Sequence, residues 1–288
     1  MTPSLRLFVV ALAAVLASVV IILAPAALAQ PSNPELILAT TTSTQDSGLL
    51  DVLVPEFQRQ TGYNVKTISV GTGQAMALGE RGEADVLLVH APDSEKKWMA
   101  DGHGVDRKLV MYNDFVVVGP PADPISLAGA TSAVEAMQKI AANGALFVSR
   151  GDNSGTHQLE LKLWKDAGFD PKGSSWYQEA GQGMGQVLTI ANEKEAYTIT
   201  DRGTYLARKA TLDLTILAEG YPSFLNVYHV MVVNPEKGGH VNVEGARAFA
   251  EFMVARPTQE TIATFGFEKF GQPLFFPAAI MTDEQLGV

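Results

Sequence analysis

Within the stretch Ser149-Arg150-Gly151-Asp152-Asn153-Ser154-Gly155-Thr156-His157 the chain gathers one guanidinium, two glycines and the hydroxyls of Ser154 and Thr156. Such a set of donors suits an anion. The stretch follows a short apolar run, Ala145 to Val148, that reads as a buried strand, and it precedes a helical pattern with Leu159, Leu163 and Ala167 on one face. A strand-to-helix turn aims the free N–H groups of the first helical turn, and the positive end of the helix dipole, into the adjoining crevice. Arg150 adds a permanent charge and a forked donor. Gly151 and Gly155 are expected to let the backbone approach a bound group. Ordinary capping is the competing reading, because Ser, Asp and Asn are what any helix start prefers.

Two further turns share this design. The strand-like run Leu36 to Thr40 opens into Thr40-Thr41-Thr42-Ser43-Thr44, ahead of a helical run with Leu49, Leu50, Leu53 and Phe57 on one side; Pro55 is expected to start or kink its second half. Val65 to Val70 then leads into Gly71-Thr72-Gly73-Gln74 and a helix over Gln74 to Arg81. Gly71-x-Gly73 lacks the third glycine of a dinucleotide turn, and no Gly-Lys-Ser/Thr follows as a phosphate loop requires. With a buried strand over Asp85 to His90, the order strand, helix, strand, helix, strand predicts a parallel sheet with its ligand at the carboxyl ends of the strands.

Asp114 to Pro120 and Phe224 to Pro235 read as two strands crossing between lobes. Between them lies a second alternating unit: helices over Thr131 to Asn143, Thr156 to Ala167, Gly183 to Glu193 and Asp201 to Lys209, and strands over Ala145 to Ser149, Ala196 to Thr200 and Leu214 to Leu217. Helices over Val243 to Ala255 and Thr258 to Phe265 return the chain to the first lobe. The expected architecture is α/β with two lobes, each a mostly parallel sheet flanked by helices, and a hinged interlobe cleft. Its boundaries fall at 30–115 with 228–288 for the first lobe, and 116–227 for the second.

The formal net charge is −10 and no lysine or arginine cluster occurs, which excludes a nucleic-acid or anionic-membrane surface. Positive potential for an anion must then come from a few oriented donors in a cleft. Arg6, the apolar run Leu7 to Leu23 and Ala27-Leu28-Ala29 read as an export signal cleaved after Ala29. A retained membrane anchor is the alternative for that run. Cysteine is absent, so the chain has neither a disulfide nor a thiol for lipid attachment. A periplasmic protein, monomeric by default and not a lipoprotein, is the expectation.

Ala39-Thr40-Thr41-Thr42-Ser43-Thr44, Val70-Gly71-Thr72-Gly73, Ala84 to Pro92, Ser149 to His157 and Tyr197 to Tyr205 together resemble the periplasmic tungstate-binding proteins of ATP-driven importers, over nearly the whole mature chain. The resemblance implies a two-lobed, type II periplasmic-binding-protein fold. It also implies capture of tungstate and delivery to an ABC permease with its cytoplasmic ATPase, with no further cofactor. It carries binding roles onto Thr41, Thr42, Ser43, Arg150 and Thr156. Thr72, Ser154 and Gly155 join the expected site on the local geometry argued above.

Tungstate at neutral pH is a tetrahedral dianion with only acceptor oxygens, so its site should present donors and little else. Molybdate shares its charge and shape, and donor counting does not separate the two. Partly protonated phosphate needs an acceptor, which Asp152 could supply; a pair with Arg150 or a capping bond is the preferred role for Asp152. Ser154, His157 and Asp152 are also the types used by serine hydrolases, but no Gly-x-Ser-x-Gly elbow is present. His90, His103, His157, His229 and His240 are scattered without metal spacing and are assigned to packing or surface, with His157 open to a role in orienting its turn. Trp98, Trp164 and Trp176 read as core, not as a sugar platform.

Overall fold

The computed structural model describes residues 31–237 and 240–288. The export signal expected over 1–29 lies outside the described residues. Strand β1 (Glu35–Thr41) is followed by a short helix α1 (Thr42–Asp46), then α2 (Leu50–Thr61), β2 (Asn64–Val70), α3 (Thr72–Glu80), β3 (Val86–Val89) and α4 (Pro92–Ala100). Helix α2 runs unbroken through Pro55 and stops at Gly62, whose φ of 78° is the left-handed conformation that ends helices. β1 pairs in parallel with both β2 and β3, as the alternation of strands and helices predicted.

The next strand, β4 (Gly104–Gly119), is longer than expected. Its first part carries Asp106, Arg107, Lys108 and Asn113, which masks a strand pattern; the structure pairs Arg107 with buried Glu95 and Lys108 with Glu251. Along Gly104 to Asp114 it pairs antiparallel with β9 (Leu225–Val233), and β9 pairs antiparallel with β3. From Phe115 onward the same strand pairs instead with β7 (Thr198–Asp201) and β8 (Thr215–Ala218), again antiparallel. One continuous strand thus serves two halves. The sheets are parallel where strands alternate with helices and antiparallel where the crossing strands join them.

The second half contains α5 (Ala133–Asn143), β5 (Phe147–Ser149), α6 (Gly155–Asp166), β6 (Tyr177–Glu179), α7 (Met184–Glu193) and α8 (Arg202–Arg208). After β9 come α9 (Val243–Val254), α10 (Arg256–Thr264) and α11 (Phe267–Phe270), and β10 (Phe276–Pro277) adds to the outer edge of β4.

Burial follows this division. Leu36, Leu38, Leu53, Phe57, Tyr228 and Phe249 belong to one core, and Phe115, Phe147, Trp164, Tyr197 and Phe224 to another. Apolar burial of this kind contributes roughly 1.5 to 3 kcal/mol for each large side chain, so each half has its own reason to fold. Trp98 and Trp164 are buried, and Trp176 packs on the second core, as expected of core residues.

Candidate functional site

Helix starts from both halves meet at the seam between them. Those of α1, α3, α6, α7 and α8 follow the extended residues Thr41, Gly71, Ser154, Gly183 and Asp201. Thr41, Ser154 and Asp201 accept a first-turn N–H through their side chains, while Gly71 and Gly183 offer no side-chain cap.

Arg150 is the largest polar group in this region and is only 1% exposed. Its Nη2 donates to Thr42 Oγ1 at 3.1 Å across the seam and to Asp152 Oδ2 at 2.5 Å. Its Nε and Nη1 are buried without a partner, and so is Thr156 Oγ1. Buried donors are nearly always satisfied, so these three point to a missing acceptor. The Thr42 hydroxyl accepts from Arg150 and from Met184 N–H at 3.4 Å, so its own hydrogen is free to donate.

The other expected residues lie at these same helix starts. Thr41 Oγ1 lies 3.1 Å from Ser43 Oγ and 2.7 Å from Thr44 Oγ1. Thr72 Oγ1 accepts Gly155 N–H at 3.3 Å from the opposite half. Ser154 Oγ accepts His157 N–H at 3.2 Å as the cap of α6. Asp152 takes both structural roles expected of it: its second oxygen accepts Ser154 N–H at 3.1 Å while the first pairs with Arg150. His157 orients the turn, with Nδ1 accepting Asn153 N–H at 3.0 Å. Ser154 Oγ meets the backbone of His157 and not its ring, so the constellation is not that of a nucleophile and its base.

The glycines do something other than expected. A Cβ on Gly151, whose φ is +61°, would lie 2.7 Å from Glu179 Cβ, and one on Gly155 would lie 2.7 Å from the His90 carbonyl oxygen. Protein atoms fill both spaces. Gly151 admits β6, and Gly155 lets the end of β3 close against α6, so neither clears room for a ligand in the way the sequence reading assumed.

Two groups at the site escaped the sequence reading. His90 is buried at the end of β3 with Nε2 3.2 Å from Ser43 Oγ. Burial first, and then the charge of Arg150, push its pKa down to about 3, so the ring is neutral at physiological pH. The start of α7 is the second group: Met184 N–H reaches Thr42, and a Cβ on Gly183 would meet Thr42 Cγ2 at 3.1 Å. Its signal was the run Gly181-Gln182-Gly183 before a helix, a turn without hydroxyls.

A fully buried carboxylate stands behind the donors. Asp201 accepts Thr204 N–H at 2.8 Å and Thr204 Oγ1–H at 2.7 Å, and burial raises its pKa to about 6 despite those bonds. Among the described residues no group of three or more His, Asp or Glu could hold a metal ion. The arrangement offers oriented donors and one permanent charge to a small anion. One groove of about 550 Å³ touches this cluster only through His90 and Gly155 and is otherwise lined by residues such as Leu161, Lys162 and Leu225.

A model of the PBP superfamily domain matches residues 28–257. The chain is 51% identical over 246 residues to the tungstate-binding protein TupA of Peptoclostridium acidaminophilum, covering 85% of this chain and 86% of that one. Among solved structures it resembles the tungstate ABC transporter protein from Geobacter sulfurreducens (53% identity, TM-score 0.73, 80% of this chain and 98% of that one). It also resembles the tungstate-binding protein TupA from Desulfovibrio alaskensis G20 (45% identity, TM-score 0.71, 85% and 99%). The chain belongs to the PBP superfamily and to the same family as these relatives.

Proposed function

We propose that this protein captures tungstate between its lobes outside the cytoplasm and delivers it to an ABC permease with its cytoplasmic ATPase. The observation that carries the reading is Arg150: a guanidinium 1% exposed, with Nε and Nη1 buried and unpartnered, at one end of the turn that leads to Thr156, whose hydroxyl is likewise buried and unpartnered. Leaving such donors unmade costs about 1 to 3 kcal/mol each, and more for a charged group. A tetrahedral dianion satisfies them together. Relatives named for tungstate support the choice of ion.

In this reading Arg150, Thr42 and Thr156 donate to the anion directly, and Thr41 and Ser43 complete the first-lobe turn. Thr72, Ser154 and Gly155 hold the helix starts that face it. Asp152 balances Arg150 and fixes its guanidinium, and neutral His90 adds no second charge. The lobes comprise residues 30–115 with 228–288, and 116–227. The protein acts as a monomer exported by the signal at 1–29. Among the described residues no helix is long and apolar enough to cross a membrane.

Calorimetric titration with tungstate, molybdate, sulfate and phosphate in one buffer tests this. The expected result is tight tungstate binding, near the nanomolar scale or about 12 kcal/mol, with weaker molybdate and no phosphate binding. Phosphate binding without a tungstate response would sink the reading and make Asp152 an acceptor for a protonated anion.

A further inference from the structure

The seam between the lobes has two flanks. On one flank the bonds join uncharged groups: Gly155 N–H to Thr72 Oγ1 at 3.3 Å, Gly73 N–H to Asn153 O at 3.3 Å, and Ser94 Oγ–H to Gln158 Oε1 at 2.7 Å. On the other flank stands Asp46, the last residue of α1. Its Oδ2 accepts Gly185 N–H in the first turn of α7 at 3.1 Å, and its Oδ1 lies 3.8 Å from Arg208 Nη2.

Gly185 makes this arrangement possible. A Cβ built there would fall on the Arg208 guanidinium, so the arginine occupies the space a side chain would need. Asp46 and Arg208 are 27% and 35% exposed in their side chains, which places them at the rim and not among the buried donors. The same start of α7 is held a second time by Thr42, four residues before Asp46 on α1. One carboxylate therefore meets a backbone N–H, the positive end of a helix and a guanidinium from the opposite lobe.

We propose that Asp46 is a positioning residue that latches the lobes, holding α7 and Arg208 of the second lobe against α1 of the first. It sets how long a bound anion stays without touching it. The part concerning the anion rests on the function proposed above. Opening the cleft must separate Asp46 from Gly185 and Arg208, so loss of the carboxylate acts on release. Because the pair is partly solvated, salt weakens the latch.

The chain contains no cysteine, so Gln60→Cys and Lys172→Cys, exposed in the first and second lobes, can carry spin labels that report the interlobe distance. In the anion-free protein Asp46→Ala is expected to shift that distribution to longer distances. It is also expected to raise the tungstate dissociation rate about tenfold while leaving the ratio of tungstate to molybdate affinity unchanged. Asp46→Asn, which keeps an acceptor for Gly185 N–H, should fall between. Arg208→Gln added to Asp46→Ala should change little further. An unchanged label distance in Asp46→Ala overturns the latch, and an altered ion ratio overturns the claim that Asp46 stays clear of the anion. If the unmutated protein binds none of these oxyanions, the proposed function fails while the label distances still decide the latch. Should Asp46→Ala not fold, Asp46→Asn and Arg208→Gln carry the same test.

Discussion

Arg150 Nη2 donates to Thr42 Oγ1 at 3.1 Å, joining residues 108 positions apart from opposite sides of the cleft. The bond occupies an acceptor site on the hydroxyl and leaves its hydrogen for a ligand. It also fixes the guanidinium so that its remaining donors are buried and unmet.

Arg150→Ala removes the charge and those donors together, and is expected to weaken tungstate binding at least about a hundredfold by calorimetry. Arg150→Lys should recover only part, because an ammonium is a point charge without the planar fork. Thr42→Val keeps the shape but loses the hydroxyl, and about a tenfold loss is expected. Wild-type affinity in Arg150→Ala would remove Arg150 from the site.

Gly155→Ala tests closure by a different route. The added Cβ would lie 2.7 Å from the His90 carbonyl oxygen, a contact between backbone elements that only moving the lobes apart relieves. The variant is expected to fold, with an unchanged far-UV circular dichroism spectrum, and to lose most of the rise in melting temperature that tungstate confers.

Burial holds Asp201 at about 6 and Glu160 at about 7, above their ordinary values of 3.8 and 4.5. Glu160 sits behind the Arg150 turn, accepting from Ser149, Trp164 and Tyr177. The folded protein keeps these protons where the unfolded chain has lost them. Each penalty is therefore absent below the unfolded value and grows as pH rises to the folded one. Asp201→Asn or Glu160→Gln should raise the melting temperature by roughly 4 to 8 °C at pH 8 and hardly at all at pH 4. Equal shifts at both pH values would show that the carboxylates are not the cause.

His90 carries the opposite sign. Its folded pKa of about 3 lies below the ordinary 6.5, so the unfolded chain gains a proton first as the solution is acidified. Its contribution is present above pH 6.5 and is lost as pH falls toward the folded value. The NMR shift of its ring Hε1 should stay flat from pH 8 to pH 5, and a midpoint near 6.5 would mean that the ring is solvated.

Much of this protein is legible in local pattern. The alternation of strands and helices, the three donor turns and the place of Arg150 within one of them are short-range features. Helix starts need particular residues, and buried strands need apolar runs. The first part of β4 was hidden because charged residues occupy it, and their partners Glu95 and Glu251 lie on other elements. The tertiary structure alone decided that the start of α7 faces Thr42, that His90 is neutral beside Ser43, and that Gly155 serves lobe contact. These depend on which backbones approach across the seam and on how deeply a group is desolvated. Neither distance nor burial is written in the neighbours a residue has along the chain.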